Sequence, residues 1–248
     1  MVEQTPPSLF IVSLPRSFSA RTYELAVNAL GLREPNWTSH GEVMNPDRFA
    51  FAPQPLGFRS TRPKFVRPES NPVLFRQLTD FLGHIVAPQG FAYRDVTQSF
   101  VVARWLEFQE LRVLKITRDV AEVALRILEV DRNDPAFAGT RPDDRPRLLI
   151  EMLLSVRDAL AALPGETIDY TELVWDGRAL ERVLARLYPE QSPTTERYLN
   201  EEFQCQRDRI LKRRTSERFR EIDALRLEIE RERALAGLFT GEIRRAAR

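Results

Sequence analysis

Cysteine is nearly absent from this sequence: Cys205 is the only one among 248 residues. That excludes an internal disulfide and suits a reducing compartment. Histidine is almost as scarce, with only His40 and His84, and no His/Cys cluster has the spacing of a metal site, so no metal is expected. Long apolar runs are missing too. Leu9–Leu14 falls far short of the roughly 20 residues that span a bilayer. Met1–Ser8 is polar and proline-bearing, with no charged stretch leading into an apolar signal core, so a cytoplasmic location is expected. A formal net charge of +1 gives no bulk attraction to nucleic acid or anionic lipid, and neither is expected as a partner. Two phosphate-binding signatures are absent as well. Without G-x-x-x-x-G-K-[ST] an ordinary ATPase, GTPase or kinase is disfavoured, and without G-x-G-x-x-G so is a dinucleotide site.

What is present suits a globular α/β chain. With 43% hydrophobic residues, the chain is long enough to bury a core without staples. Leu9–Leu14 is continuously apolar, the pattern of a strand buried on both faces. Pro15 ends it, and Ser17 and Ser19 can cap the next element. A helix is predicted over Ala20–Leu30, with Tyr23, Val27 and Leu30 on one side and Gly31 at the C-cap. From Asn45 to Asn71 five prolines and a basic set (Arg59, Arg62, Lys64, Arg67) break all regularity. Irregular segments of that length are lids or disordered loops.

Helices are then predicted over Leu74–Val86, Ser99–Phe108, Val120–Val130, Leu148–Leu163 and Arg178–Leu187. Strands are predicted over Phe91–Val96, Leu111–Thr117 and Thr167–Tyr170, with a charged loop at Asp131–Pro146. Strand–helix alternation points to a mostly parallel central sheet flanked by helices. The expected division is an α/β domain over 1–190, with 46–72 as its lid or loop, and a charged helical tail over 191–248. In the tail, Thr195–Ala236 reads as one helix or a pair. Ile222, Leu225, Ile229 and Ala236 fit a heptad stripe that Glu232 interrupts. Packing on the chain's own domain and a homodimer contact both remain open.

The first strand delivers the chain to Ser13-Leu-Pro-Arg-Ser-Phe-Ser-Ala-Arg21. A helix N-terminus beyond a buried strand offers free N–H groups and a positive dipole end, a ready anion site. Arg16 adds a forked cation, and Ser17 and Ser19 add hydroxyl donors. On spacing alone, the two serines serve equally well as simple helix caps beside a solvated Arg16.

Pro15-Arg16-Ser17-Phe18-Ser19-Ala20 resembles the P-[RK]-[ST]-G-[ST]-[ST] loop of bacterial PAPS-dependent sulfotransferases, which have a P-loop fold. Three further landmarks come in family order. His40-Gly41-Glu42-Val43-Met44-Asn45-Pro46 is similar to the family's GE-x-x-N segment. Leu114-Lys-Ile-Thr-Arg118-Asp119 resembles its strand ending in Arg-Asp. Ile168–Asp176 is similar to its late Y-E-D-L strand exit. Together they span roughly Leu9 to Leu187. Two positions depart from the pattern: Phe18 stands where the loop has glycine, and Arg126 where a serine is usual.

The resemblance implies transfer of a sulfuryl group from 3′-phosphoadenosine 5′-phosphosulfate (PAPS, leaving PAP) to a hydroxyl or amine of a small-molecule acceptor. It implies a 5′-phosphosulfate site at Arg16, Ser17, Phe18, Ser19 and Ala20. The 3′-phosphate would sit on Arg118, with Arg126 assisting. In-line displacement needs a general base near the acceptor. Glu42 matches the carboxylate that serves some family members, and His40 competes because imidazole titrates near neutrality. Arg94 reads either as a counterpart of a lysine common in relatives or as a strand-end surface charge, and His84 as structural. A catalytically inactive binding or scaffold protein on the same fold is the alternative.

Overall fold

In a computed structural model, the residues described are 5–35, 41–43, 89–96, 102–103, 106–107, 110–130, 140–195 and 200–246. The expected lid over Asn45–Asn71, the helix over Leu74–Val86, most of Ser99–Phe108, and both His40 and His84 lie outside them.

The chain is α/β, built on a parallel sheet flanked by helices as its sequence pattern implies. Strands β1 (Ser8–Ser13), β2 (Ala92–Val96), β3 (Leu111–Thr117) and β4 (Glu166–Asp169) form one four-stranded sheet in the order β2-β1-β3-β4. Every pairing is parallel, with Ile11 opposite both Arg94 and Leu114. β1 lies between two neighbours and under two helical layers, so all six of its residues are buried. That burial is why it reads as an unbroken apolar run.

Helix α1 (Ser19–Leu30) and helix α5 (Ala179–Leu187) cover one face, where Tyr23, Ala26, Leu180 and Leu184 meet Leu9, Ile11 and Ile168. Helix α2 (Val120–Val130) and helix α3 (Arg145–Ala162) cover the other, bringing Val123, Ile127, Leu149 and Leu153 onto Phe10 and Val12. A short helix α4 (Tyr170–Trp175) comes after β4, and two helices close the chain, α6 (Asn200–Arg214) and α7 (Glu217–Ala246).

Several boundaries differ from the sequence reading for identifiable reasons. Tyr170 begins α4 instead of ending a strand, because the Asp169 carboxylate accepts from the Thr171 N–H and caps the helix. α3 starts at Arg145, with Pro146 in its first turn, where a missing N–H costs nothing. Ser17 and Ser19 do not cap α1. Its N-cap position is Phe18, with no side-chain cap bond.

The tail is a helix pair. On α7, Ile222 and Ile229 are buried in the body's core with Leu225 and Phe219 packed against it, whereas Ala236 is exposed. Around Ile229, Arg147 pairs with Glu228 and Glu232, and Arg157 with Glu230. No described helix is long and apolar enough to cross a membrane.

Gly31 closes α1 at φ 61°, its N–H donating to the Val27 carbonyl. Nothing lies within 4 Å of a Cβ added there, so a substitution meets backbone strain alone. Gly31→Ala is expected to cost about 1 kcal/mol, and Gly31→Asn less, measured by urea unfolding at unchanged m value. A loss below a few tenths would mean that the helix end relaxes out of the left-handed region.

Candidate functional site

In a parallel sheet of this order, the helix after β1 lies on one face and the helix after β3 on the other. That topology places the expected ligand crevice at the carboxyl ends between those two strands, as in other open α/β sheets. The turn Leu14–Phe18 forms one lip and Arg118–Asp119 the other.

The turn is built on two left-handed residues that are not glycine, Arg16 at φ 61° and Phe18 at φ 65°. Each such conformation costs roughly 1–2 kcal/mol for an L residue, so the surroundings must hold them. Arg118 does so from the end of β3, donating from Nη1 to the Arg16 carbonyl across the crevice. Phe18 is held by its ring, which lies 5.8 Å from that of Phe203 at 52°. Phe18 thus takes the backbone conformation that suits glycine, while its side chain turns toward α6.

Ser17 is 1% exposed and its hydroxyl has no hydrogen-bond partner among the described residues. A buried, unpaired hydroxyl costs about 1–3 kcal/mol, and this one sits where the first-turn N–H groups of α1 also lack helical partners. Arg16 and Ala20 are exposed on either side.

Arg94 is not the surface charge that its strand-end position allowed. It is 7% exposed, and its Nη1 donates to Ser19 Oγ at 3.3 Å while Nη2 reaches Glu42 Oε2 at 3.2 Å. Glu42 arrives there because Gly41–Val43 adds to the edge of β2: Arg94 N–H donates to the Gly41 carbonyl, and Val43 N–H to the Arg94 carbonyl. Gly41 stands at φ 65°, and a Cβ there would lie 2.4 Å from the Tyr23 ring. Only glycine lets the segment rest on Tyr23, whose hydroxyl is itself tied to the Ala92 carbonyl. Burial, as the leading cause, pushes the Tyr23 phenol well above its ordinary pKa. His40, the other candidate base, precedes Gly41 and lies outside the described residues.

On the opposite lip Arg118 is fixed on three sides. Its Nε donates to Glu122 Oε2 at 3.1 Å, its Nη1 to Arg16, and its plane stacks over the Tyr170 ring at 3.9 Å. Nη2 is buried and has no partner among the described residues. Arg126, on the next turns of α2, is about one-third exposed and pairs with Glu129 at 3.5 Å.

No protein-family model matches this chain, and no curated protein matches it either. Among solved structures it is similar to a sulfotransferase domain from the curacin biosynthetic pathway. The two share 16% identity and a TM-score of 0.43 over 77% of this chain and 76% of that one.

The structure therefore brings Arg16, Ser17, Phe18 and Arg118 together through one turn, and ties Ser19 to Glu42 through Arg94. Arg126 stands further along α2. Sequence reasoning misses Glu122 and helix α6, and leaves the placement of Arg94 open. Glu122 lies in the first turn of α2, four residues after Arg118 at the end of β3. Arg94 carries no local signal of burial. Helix α6 reads in sequence only as tail, yet it crosses the carboxyl edge of the sheet. Its Phe203 meets Phe18, Arg207 donates to the Val174 and Trp175 carbonyls, Ile210 packs on Tyr170, and Arg214 reaches Glu122.

Proposed function

We propose that this chain is a sulfotransferase that moves a sulfuryl group from PAPS to a hydroxyl or amine of a small-molecule acceptor by in-line displacement. The observation that carries the reading is the buried Ser17 hydroxyl at the head of α1, without a partner among the described residues; Arg118, which donates to the neighbouring Arg16 carbonyl, carries a second buried donor of that kind. Two orphaned donors beside a helix N-terminus fit a ligand bearing more than one anionic group.

PAPS would supply the activated sulfuryl group. Ser17 and the N–H groups of the first turn of α1 hold its 5′-phosphate, with Ser19 positioned by Arg94. Arg118 holds the 3′-phosphate and Arg126 assists. Arg16 neutralises the charge that builds on the leaving phosphate, a preorganised electrostatic role. Glu42 takes the proton of the acceptor as it attacks. Its carboxylate is oriented by Arg94 and remains 17% exposed, within reach of a bound acceptor.

Calorimetric titration with PAP, against ATP and ADP, tests the reading. Selective PAP binding without added metal is the expected result; absence of PAP binding sinks it. One observation favours a second reading, a non-catalytic scaffold on the same fold. The Phe18–Phe203 contact lays α6 against the turn that a phosphate would approach. The scaffold predicts no thermal stabilisation by PAP. The enzyme predicts RT ln(1 + [L]/Kd), about 2.7 kcal/mol at a hundredfold excess over Kd. Under the scaffold reading, Phe18→Gly would be needed before any PAP binding appeared.

A further inference from the structure

Helix α6 ends in Lys212, Arg213 and Arg214. Cations in a last turn complement the helix dipole, but the dipole does not require two of them to meet arginines from elsewhere in the fold. Here they do. Arg214 Nε reaches Glu122 Oε1 at 2.5 Å, so the fully buried Glu122 carboxylate is shared between Arg118 of the body and Arg214 of α6. Glu129 is likewise placed between Arg126, at 3.5 Å, and Arg213, at 3.9 Å. Four guanidinium groups thus gather around two carboxylates, an excess of two positive charges. The neighbouring acid, Asp119, is turned to cap α2, its Oδ1 accepting from the Glu122 N–H.

Arg213 is the member whose position has no internal explanation. Its side chain is 14% exposed, and Glu129 lies beyond hydrogen-bond reach. Burial, then the charges of Arg118 and Arg126, hold its guanidinium below the ordinary arginine range. Beside it, Arg118 Nη2 is buried without a partner among the described residues. Like charges held close with unspent donors are a site for an anion that brings two negative charges and several acceptor oxygens.

We propose that Arg213, carried on helix α6, completes with Arg118 and Arg126 a binding site for a phosphate-monoester dianion. Helix α6 is then part of the ligand site and not an appendage. Assignment of that dianion to the 3′-phosphate of PAP rests on the function proposed above; the site itself rests on the arginine cluster.

The test titrates the full chain, its R213Q and R213K variants and the control K212Q with PAP, with 5′-AMP, which lacks a 3′-phosphate, and with inorganic phosphate. R213Q is expected to weaken PAP at least tenfold while leaving 5′-AMP unchanged. R213K should recover part of the loss, and K212Q, which removes one charge from the adjacent position, should bind both nucleotides as wild type does. Wild-type PAP affinity in R213Q, or equal weakening of PAP and 5′-AMP, overturns the proposal. If wild type binds no PAP, the sulfotransferase reading fails, and inorganic phosphate decides the site. Phosphate binding that R213Q weakens upholds a phosphate site of another origin; no phosphate binding, or binding indifferent to R213Q, overturns it.

Discussion

In Glu42→Gln, sulfuryl transfer from PAPS is expected to fall by about 10²–10⁴-fold, the usual contribution of a positioned general base. PAP affinity should stay within twofold of wild type. The split matters because the proposed function gives Glu42 a second role beside its contact with Arg94. It would take the acceptor's proton, and it also accepts from Arg94, which in turn donates to Ser19 at the start of α1. Glutamine keeps an oxygen for Arg94 and is nearly isosteric, so the geometry of the turn survives while the base is lost. PAP release from PAPS, measured with a panel of phenol, alcohol and amine acceptors, gives the first quantity, and calorimetry the second. Parallel loss of turnover and PAP affinity would make Glu42 a scaffold for the turn. Unchanged turnover would leave His40 as the base.

Glu122→Ala is expected to destabilise the fold by roughly 3–5 kcal/mol, the cost of breaking a buried ion pair and leaving its partner uncompensated. Glu122 is fully buried, and Arg118, its nearer partner in sequence, is itself almost inaccessible. Removing the carboxylate leaves Arg118 charged, dehydrated and beside the cations of α6. The second partner, Arg214, is 43% exposed and can turn to water, so the loss should come mainly from Arg118. Glu122→Gln, which retains an acceptor, should lose less. Guanidinium unfolding at constant m measures both. A loss below 1 kcal/mol in the alanine variant would mean that Arg118 swings out to solvent and is not held in place by this contact.

The contrast between Glu122 and Arg94 shows how far local pattern reaches. Arg118 stands just before α2 and Glu122 in its first turn, so the spacing of four residues across a helix start keeps the pair within local reach. Arg94 depends on a segment 52 residues away in sequence, and no local pattern encodes that. Similarly, the left-handed conformation of Gly31 at the end of α1 is readable from its position. That of Phe18 is not, because what holds it is Phe203, on a helix that arrives near the far end of the chain.

By itself the sequence determined the class of the fold, the order of its strands along the chain, and the turn after β1 as the candidate anion site. These come from local physics: runs of apolar residues that only a doubly covered strand can bury, and the free N–H groups at a helix start. Tertiary structure alone decided the spatial strand order, the burial of Arg94 against Ser19 and Glu42, and the arrival of α6 over the crevice with Arg213 and Arg214. Those outcomes depend on long-range packing, in which Ile222 and Ile229 anchor α7 to the core while Phe203 and Ile210 seat α6. A charged helix carries its amphipathic stripe in its sequence, but not the identity of the surface that the stripe covers.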